Sequence, residues 1–273
     1  MLRNRRLSFG GSTARAALLC CLVLPFVACG GSGDAAQKQA RAEEWQRLES
    51  SHQELQQKRS ELQQIRAQIA AGPAALTVDP ASEQTAEDVF AALETQAAAA
   101  DSEIETLATD FMSRLVAYIN SQEMEVGAEP TEQQSAALRM KSGEDLVYAM
   151  EYIERGGDYA RAEEIVKRAL EFDPNNTDLQ ERLDWIRDMR FIRRERFDQV
   201  SVGMTEAEVL EFLGPVNINN IRDFPNNRKG WFYRKDPAVE SGAAGVYFEQ
   251  RGGRWVVYEA NYDAIPSPTE AGS

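Results

Sequence analysis

Residues 200–216 read VSVGMTEAEVLEFLGPV, a short helix with both of its ends written into the sequence. Thr205 is an N-cap, and Glu208 three residues later completes a capping box. Met204 and Val209 stand at the staple positions on either side of that cap. Gly214 is expected to supply a left-handed C′ residue, and Pro215 forbids continuation. Downstream the hydrophobic period changes from helical to alternating. GWFYRK (230–235), AGVYFEQ (244–250) and RWVVYEANY (254–262) are rich in aromatic and β-branched residues, as strands are. Asp236-Pro237 separates the first two strands, and Arg251-Gly252-Gly253 makes a tight hairpin between the last two. Helix first, then a three-stranded antiparallel meander, predicts a two-layer α/β sandwich. Its apolar face would combine Trp231, Tyr233, Val246, Phe248 and Val257 with Val209, Phe212 and Leu213 of the helix.

Upstream, the chain reads as helices, so the fold class expected is α+β and multidomain. From residue 41 Leu48, Leu55, Leu62 and Ile69 recur at strict sevens behind Trp45, while His52, Arg59 and Arg66 spoil the companion stripe. One clean stripe suits a helix lying on another helix of the same chain better than a free-standing coiled coil. Residues 83–123 carry the better seam, with Phe90, Leu93, Ala97, Ala100, Ile104, Leu107 and Phe111, interrupted at Arg114 and resumed at Tyr118. The two segments predict an antiparallel, coiled-coil-like helical hairpin over 41–125. A second helical unit, 130–196, opens on a Thr131–Gln134 capping box and ends in an amphipathic helix with Leu179, Leu183, Ile186 and Phe191 inward. Its arginines, including Arg187, Arg190 and Arg194, form the one basic cluster of an acidic chain. They are candidate partner contacts unless the interleaved Asp184, Asp188, Glu195 and Asp198 make it a solvated face.

The beginning of the chain reads differently. Arg3, Arg5, Arg6 and Arg15 precede an apolar run from 16 to 28, too short for the roughly 20 residues of a membrane span, so it predicts a signal peptide over 1–28. GGSGDAAQKQ (30–39) is expected to be a flexible tether with a reach of about 16–19 Å. Residues 264–273 are expected to be a disordered tail. The chain carries -14 formal charges; removing four arginines and no acids leaves 26 basic residues against 44 acidic ones, or -18. Such a chain is repelled by nucleic acid and by anionic membrane surfaces. Of three cysteines, Cys20 and Cys21 lie in the segment to be removed, which leaves no disulfide framework.

Three resemblances follow from these residues. Phe26-Val27-Ala28-Cys29 resembles the lipobox of bacterial lipoproteins. That implies cleavage before Cys29, diacylation of its thiol, acylation such as palmitoylation of the new amino terminus, and lipid anchoring in the envelope. Gly30 after the cysteine implies sorting to the outer membrane, facing the periplasm. SGEDLVYAMEYIERGGDYARAEEIVKRALEFDPNN is similar to a single tetratricopeptide repeat (TPR) through Gly157, Tyr159, Ala162, Ala169 and Pro174, with Met150 and Ile153 departing from the pattern. Residues 197–263 resemble the small outer-membrane assembly lipoproteins of the BamE (SmpA/OmlA) family through Gly203, Met204, Thr205, Val209, Leu213, Gly214 and Pro215. These are fold-motif residues, and the family's members usually lack so long a helical region.

No catalysis is expected, nor any cofactor or metal. His52 is the sole histidine and has no Cys, Asp or Glu constellation in sequence around it. Glu163-Glu164 point to different faces of a helix, and no phosphate loop, metal-ligand spacing or Gly-x-Ser-x-Gly elbow occurs. The function expected is a lipid-anchored periplasmic scaffold binding envelope proteins, with the β-barrel assembly machinery as the partner the resemblance implies. The alternative is an inhibitor-like or ligand-binding module, as in the β-lactamase inhibitor protein that shares the small sandwich. Either use needs a sticky surface, for which Trp231, Tyr233, Tyr247, Trp255 and Tyr258 are available. Alternation puts about half of them in the core. Trp231, Tyr233 and Trp255 are the candidate contacts.

Overall fold

The computed structural model describes residues 32–76, 85–122, 130–238 and 242–265. The chain divides into two compact units, Met1–Glu43 and Glu44–Ser273. Of the first, the described part is the opening of helix α1 (Ser32–Ala71). The stretch expected as a tether is therefore helical from Ser32. Its glycines cluster at 30, 31 and 33, and the Asp-Ala-Ala-Gln-Lys-Gln that follows is made mostly of good helix formers. Cys29 and residues 266–273 lie outside the described residues, so the signal and lipidation expectations and the rest of the tail are not addressed by the fold; Ala264 and Ile265, expected in the disordered tail, are instead the end of the last strand, Arg254–Ile265.

Within the larger unit, the heptad stripe of α1 is buried at Trp45, Leu48, Leu55 and Leu62. It packs against α2 (Ala86–Asn120), which starts at a Thr85–Asp88 capping box and buries Ala97, Ile104, Phe111, Leu115 and Tyr118. Trp45 meets Tyr118, His52 stacks on Phe111, and Arg66 binds Asp101, so the two helices run antiparallel. The polar residues that spoil the second stripe have a use. His52 and Arg59 reach Glu144 on α3 (Glu132–Gly156), and Arg66 reaches α2. Arg114, which interrupts the α2 seam, donates to Glu44 and to Ser51 Oγ.

Helix α3 opens on the expected Thr131–Gln134 capping box and contributes to two cores. Its first half adds Ala137 to the α1–α2 cluster. Its second half packs Ala149 and Ile153 against α4 (Tyr159–Phe172) and α5 (Thr177–Arg190) through Ala162, Val166, Ala169, Leu179, Leu183 and Ile186. A strap then carries Ile192, the one-turn α6 (Arg194–Phe197) and Val200 into a third core.

That core belongs to an antiparallel sheet of four strands in the order β1-β2-β3-β4: Ile221–Phe224, Arg228–Arg234, Ala243–Arg251 and Arg254–Ile265. The three-stranded meander is thus corrected by one strand. β1 is only four residues, Ile-Arg-Asp-Phe, too short and too charged for an alternation signal. It is formed by the turn after it, in which Asn226 and Asn227 both have positive φ, 63° and 53°, as asparagine tolerates. Helix α7 (Glu206–Leu213) has its Thr205–Glu208 capping box and buries Val209 and Leu213 on one face of the sheet. The Gly-Met-Thr segment before it is pinned to β4: Val257 accepts from Gly203 N, donates to Met204 O, and Thr205 bridges to Val256.

Gly214 departs from expectation in one respect. Its φ is 72° but its ψ is 177°, which lies outside the left-handed helical region and in territory open essentially to glycine alone. The left-handed cap is Gly157 at the end of α3, with φ 60° and ψ 27°. Both glycines also sit where another segment leaves no room. A Cβ on Gly157 would lie 2.4 Å from the carbonyl carbon and oxygen of Val216, and one on Gly214 would lie 2.5 Å from Tyr159 Oη. The α3–α4 turn and the end of α7 are therefore in direct contact.

Candidate functional site

Strand alternation divides the aromatic residues of the sheet into two sets. Trp231, Tyr233, Val246, Phe248 and Val257 face α7 and are buried. On the opposite face Phe224, Phe232, Tyr247 and Tyr258 form a cluster centred on Tyr247. The ring centroids of the other three lie 6.1, 5.7 and 6.2 Å from it, and Phe232 stands at 90° to it. The floor of this cluster is glycine. A Cβ on Gly230 would lie 3.0–3.3 Å from the rings of Phe224, Phe232 and Tyr247, and one on Gly245 would lie 3.0 Å from that of Tyr247. A register shift in β4 sets both Tyr258 and Glu259 opposite Tyr247. Phe224 is 39 % exposed and the other three are half-buried. Arg228 covers Tyr258 at 4.6 Å and pairs with Glu249. Burial raises the Tyr247 phenol pKa, with Glu259 and Tyr258 adding to it, so the hydroxyl stays a neutral hydrogen-bonding group.

The candidate contacts read from sequence are otherwise arranged. Trp231 and Tyr233 are core residues, 6 % and 7 % exposed, which removes them from any contact surface. Trp231 packs on Phe248 at 4.6 Å, and Tyr233 Oη donates to Gly214 O. Trp255 is half-buried against the same core, beneath the Lys229 ammonium at 4.3 Å. The basic cluster is largely satisfied within the chain. Arg187 and Arg190 both bind Glu163, as does Lys167, and Arg194 binds Asp263 and lies over Tyr262. Arg193 and Arg196 take Asp188. Desolvation opposes ionisation of Glu163, but the three cations prevail and hold its pKa down at about 2.

His52 does have a carboxylate neighbour, contrary to the sequence reading: its Nε2 lies 3.5 Å from Glu144 Oε1, contributed by a helix 92 positions away. Glu144 is buried and receives both terminal nitrogens of Arg59, at 2.7 and 2.8 Å, and Gln56 Nε2 at 3.2 Å. A carboxylate so fully engaged clasps α1 to α3. Among the described residues no group of three His, Cys, Asp or Glu side chains could hold a metal ion. No described helix is long and apolar enough to cross a membrane.

A cleft of about 210 Å³ opens where the helices meet the sheet. Its walls come from the α3–α4 turn, the α5–α6 strap, the loop after α7 and the end of β2, with Arg190, Arg234, Asn220, Phe191, Ile192 and Phe232 prominent. Tyr159 is part of the wall, is buried, and its Oη has no hydrogen-bond partner among the described residues. Sequence reasoning missed this cleft because its residues are scattered from 157 to 234 and each stretch reads as ordinary turn or strand. Comparison of the chain with protein-family models, curated proteins and solved structures finds no match.

Proposed function

We propose that the chain is a lipid-anchored scaffold of the bacterial cell envelope, tethered to the outer membrane through Cys29 and binding periplasmic or membrane proteins through the outer face of its sheet. The observation that supports this reading is the cluster of Phe224, Phe232, Tyr247 and Tyr258 on the face opposite α7. Aromatic side chains gathered into one partly exposed patch with a charged rim are the usual composition of a protein contact surface. The glycines beneath them keep that surface low, so the rings lie along the sheet where a β-branched residue would force them apart. The multidomain reading belongs to the same proposal: a coiled-coil-like hairpin, a TPR-like unit at α3–α4, and a BamE-like two-layer sandwich at 197–263. The β-barrel assembly machinery enters as partner by analogy of fold alone. The acidic balance of the chain favours protein partners over nucleic acid.

In-cell crosslinking of the native lipoprotein tests the surface. A Phe224→Ser/Tyr258→Ser double variant should lose its crosslinked envelope partner while keeping the wild-type circular dichroism spectrum and membrane fractionation. Undiminished capture by that variant refutes the surface, and a Cys29→Ser chain that still fractionates with membranes refutes the anchor.

A further inference from the structure

The cleft between the α3–α4 turn and β2 belongs to none of the packing described so far, and its chemistry is specific. At about 210 Å³ it has room for roughly seven waters, below the range of roughly 300–1,000 Å³ typical of pockets for whole small ligands and closer to the size of one amino-acid residue. Its apolar wall is Phe191, Ile192, Val216 and Phe232. Its charged wall is Arg190 and Arg234, with Asp158 opposing them. Arg234 makes no ion pair among the described residues. Arg190 gives one terminal nitrogen to Glu163, but that single carboxylate serves Lys167 and Arg187 as well, so the cluster keeps a surplus of positive charge. Asp158 is held as the N-cap of α4 by Arg161 N. The balance of two guanidinium groups against one carboxylate suits a monoanion and disfavours a phosphate dianion.

A further feature narrows the occupant. β1 pairs with β2 only over 228–231, and the next backbone bond on that edge is Ile192 N to Arg234 O. The edge between them has no strand partner on that side among the described residues, and an exposed sheet edge is where an extended chain end docks.

We propose that this cleft receives an apolar amino-acid residue bearing a free carboxylate, foremost the C-terminal residue of a polypeptide, with the carboxylate on Arg234 and Arg190 and the side chain among Phe191, Ile192 and Phe232. The site borders the outer aromatic face at Phe232, which lines both, and its test needs neither the other rings of that face nor the anchor.

The test is titration calorimetry of the full chain, purified in mild detergent, against acetyl-Ala-Ala-Phe as free acid and as amide. The acid should bind at least about tenfold more tightly than the amide, the scale of losing a charge-assisted hydrogen bond. Arg234→Gln should weaken the acid about tenfold and leave the amide unchanged, because the Arg234 guanidinium makes no ion pair among the described residues. Arg254→Gln, on the same sheet, should change nothing. Acetyl-Phe distinguishes the sources: weaker binding than the tripeptide supports a polypeptide end, and equal binding supports a free acid. Equal affinity for acid and amide, no loss in Arg234→Gln, displacement by millimolar inorganic phosphate, or no binding of any acid at millimolar concentration overturns the proposal.

Discussion

Alanine at position 157 should cost the protein more than alanine at any other left-handed glycine with open surroundings, and the structure says by how much. Gly157 closes α3 at φ 60°, where an L-residue is strained by about 1–2 kcal/mol. Its added Cβ would stand 2.4 Å from the Val216 carbonyl and 2.5 Å from Asn217 N, which are backbone atoms that cannot rotate away. Moving that loop should add about 1–3 kcal/mol, the usual range for overpacking. Gly252, in the β3–β4 turn, has nearly the same φ, 56°, with nothing within 4 Å of the added Cβ, so alanine there reports backbone strain alone. Urea unfolding of both variants, followed by circular dichroism, should therefore show Gly157→Ala less stable than Gly252→Ala by about 1–3 kcal/mol. In a thermal melt the gap should be on the order of 5 °C. Equal losses would mean that the α3–α4 turn does not press on the loop after α7, and the joint that forms the cleft would have to be abandoned.

Two further outcomes follow from the buried carboxylates. Glu144→Ala strands the guanidinium of Arg59 and should destabilise by about 3–5 kcal/mol, with the Arg59→Ala/Glu144→Ala double variant losing clearly less than the sum of the singles in urea unfolding; strict additivity contradicts the clasp. Glu163 has a depressed pKa, so its stabilising contribution is present above the unfolded carboxylate value of about 4.3 and is lost as pH falls through about 2. The stability gap between wild type and Glu163→Gln should be flat above about pH 5 and close below it; a gap unchanged on acidification refutes the three-cation arrangement.

Where the sequence was legible, the determinants were local. The caps at Thr205 and Thr131 and the sevenfold leucines of α1 each declare themselves within a few residues, and all form as read. What escaped was settled at a distance or by short elements. Strand β1 has four residues, and its only local sign was the Asn226-Asn227 pair. His52 and Arg59 looked like defects in a seam because Glu144 lies 85 to 92 positions away. Alternation correctly required half the sheet aromatics to be core but left open which half. The partners decide that: Trp231 and Tyr233 share parity with Val246 and Phe248, whereas Phe232 and Tyr247 share theirs with Gly245. The Gly-rich start of the proposed tether outweighed the helix formers after it, and the helix won.

The Leu-Gly-Pro that ends α7 has a larger role than a helix stop. Gly214 admits Tyr159 and Met189, its carbonyl accepts from Tyr233, and Pro215 continues into the cleft wall. One short segment thus ends the helix, joins the helical part to the sheet and borders the cleft. Substitutions there will disturb folding and binding together and cannot separate the two. Arg234 and Phe224 are different: each is exposed, the Arg234 guanidinium makes no ion pair among the described residues, and Phe224 packs its ring beside that of Tyr247. Replacing them tests the cleft and the outer face while sparing the core. If the two positions affect different partners, the sheet serves as two surfaces; if both abolish capture of the same protein, a single partner wraps from the aromatic face around the edge of β2 into the cleft.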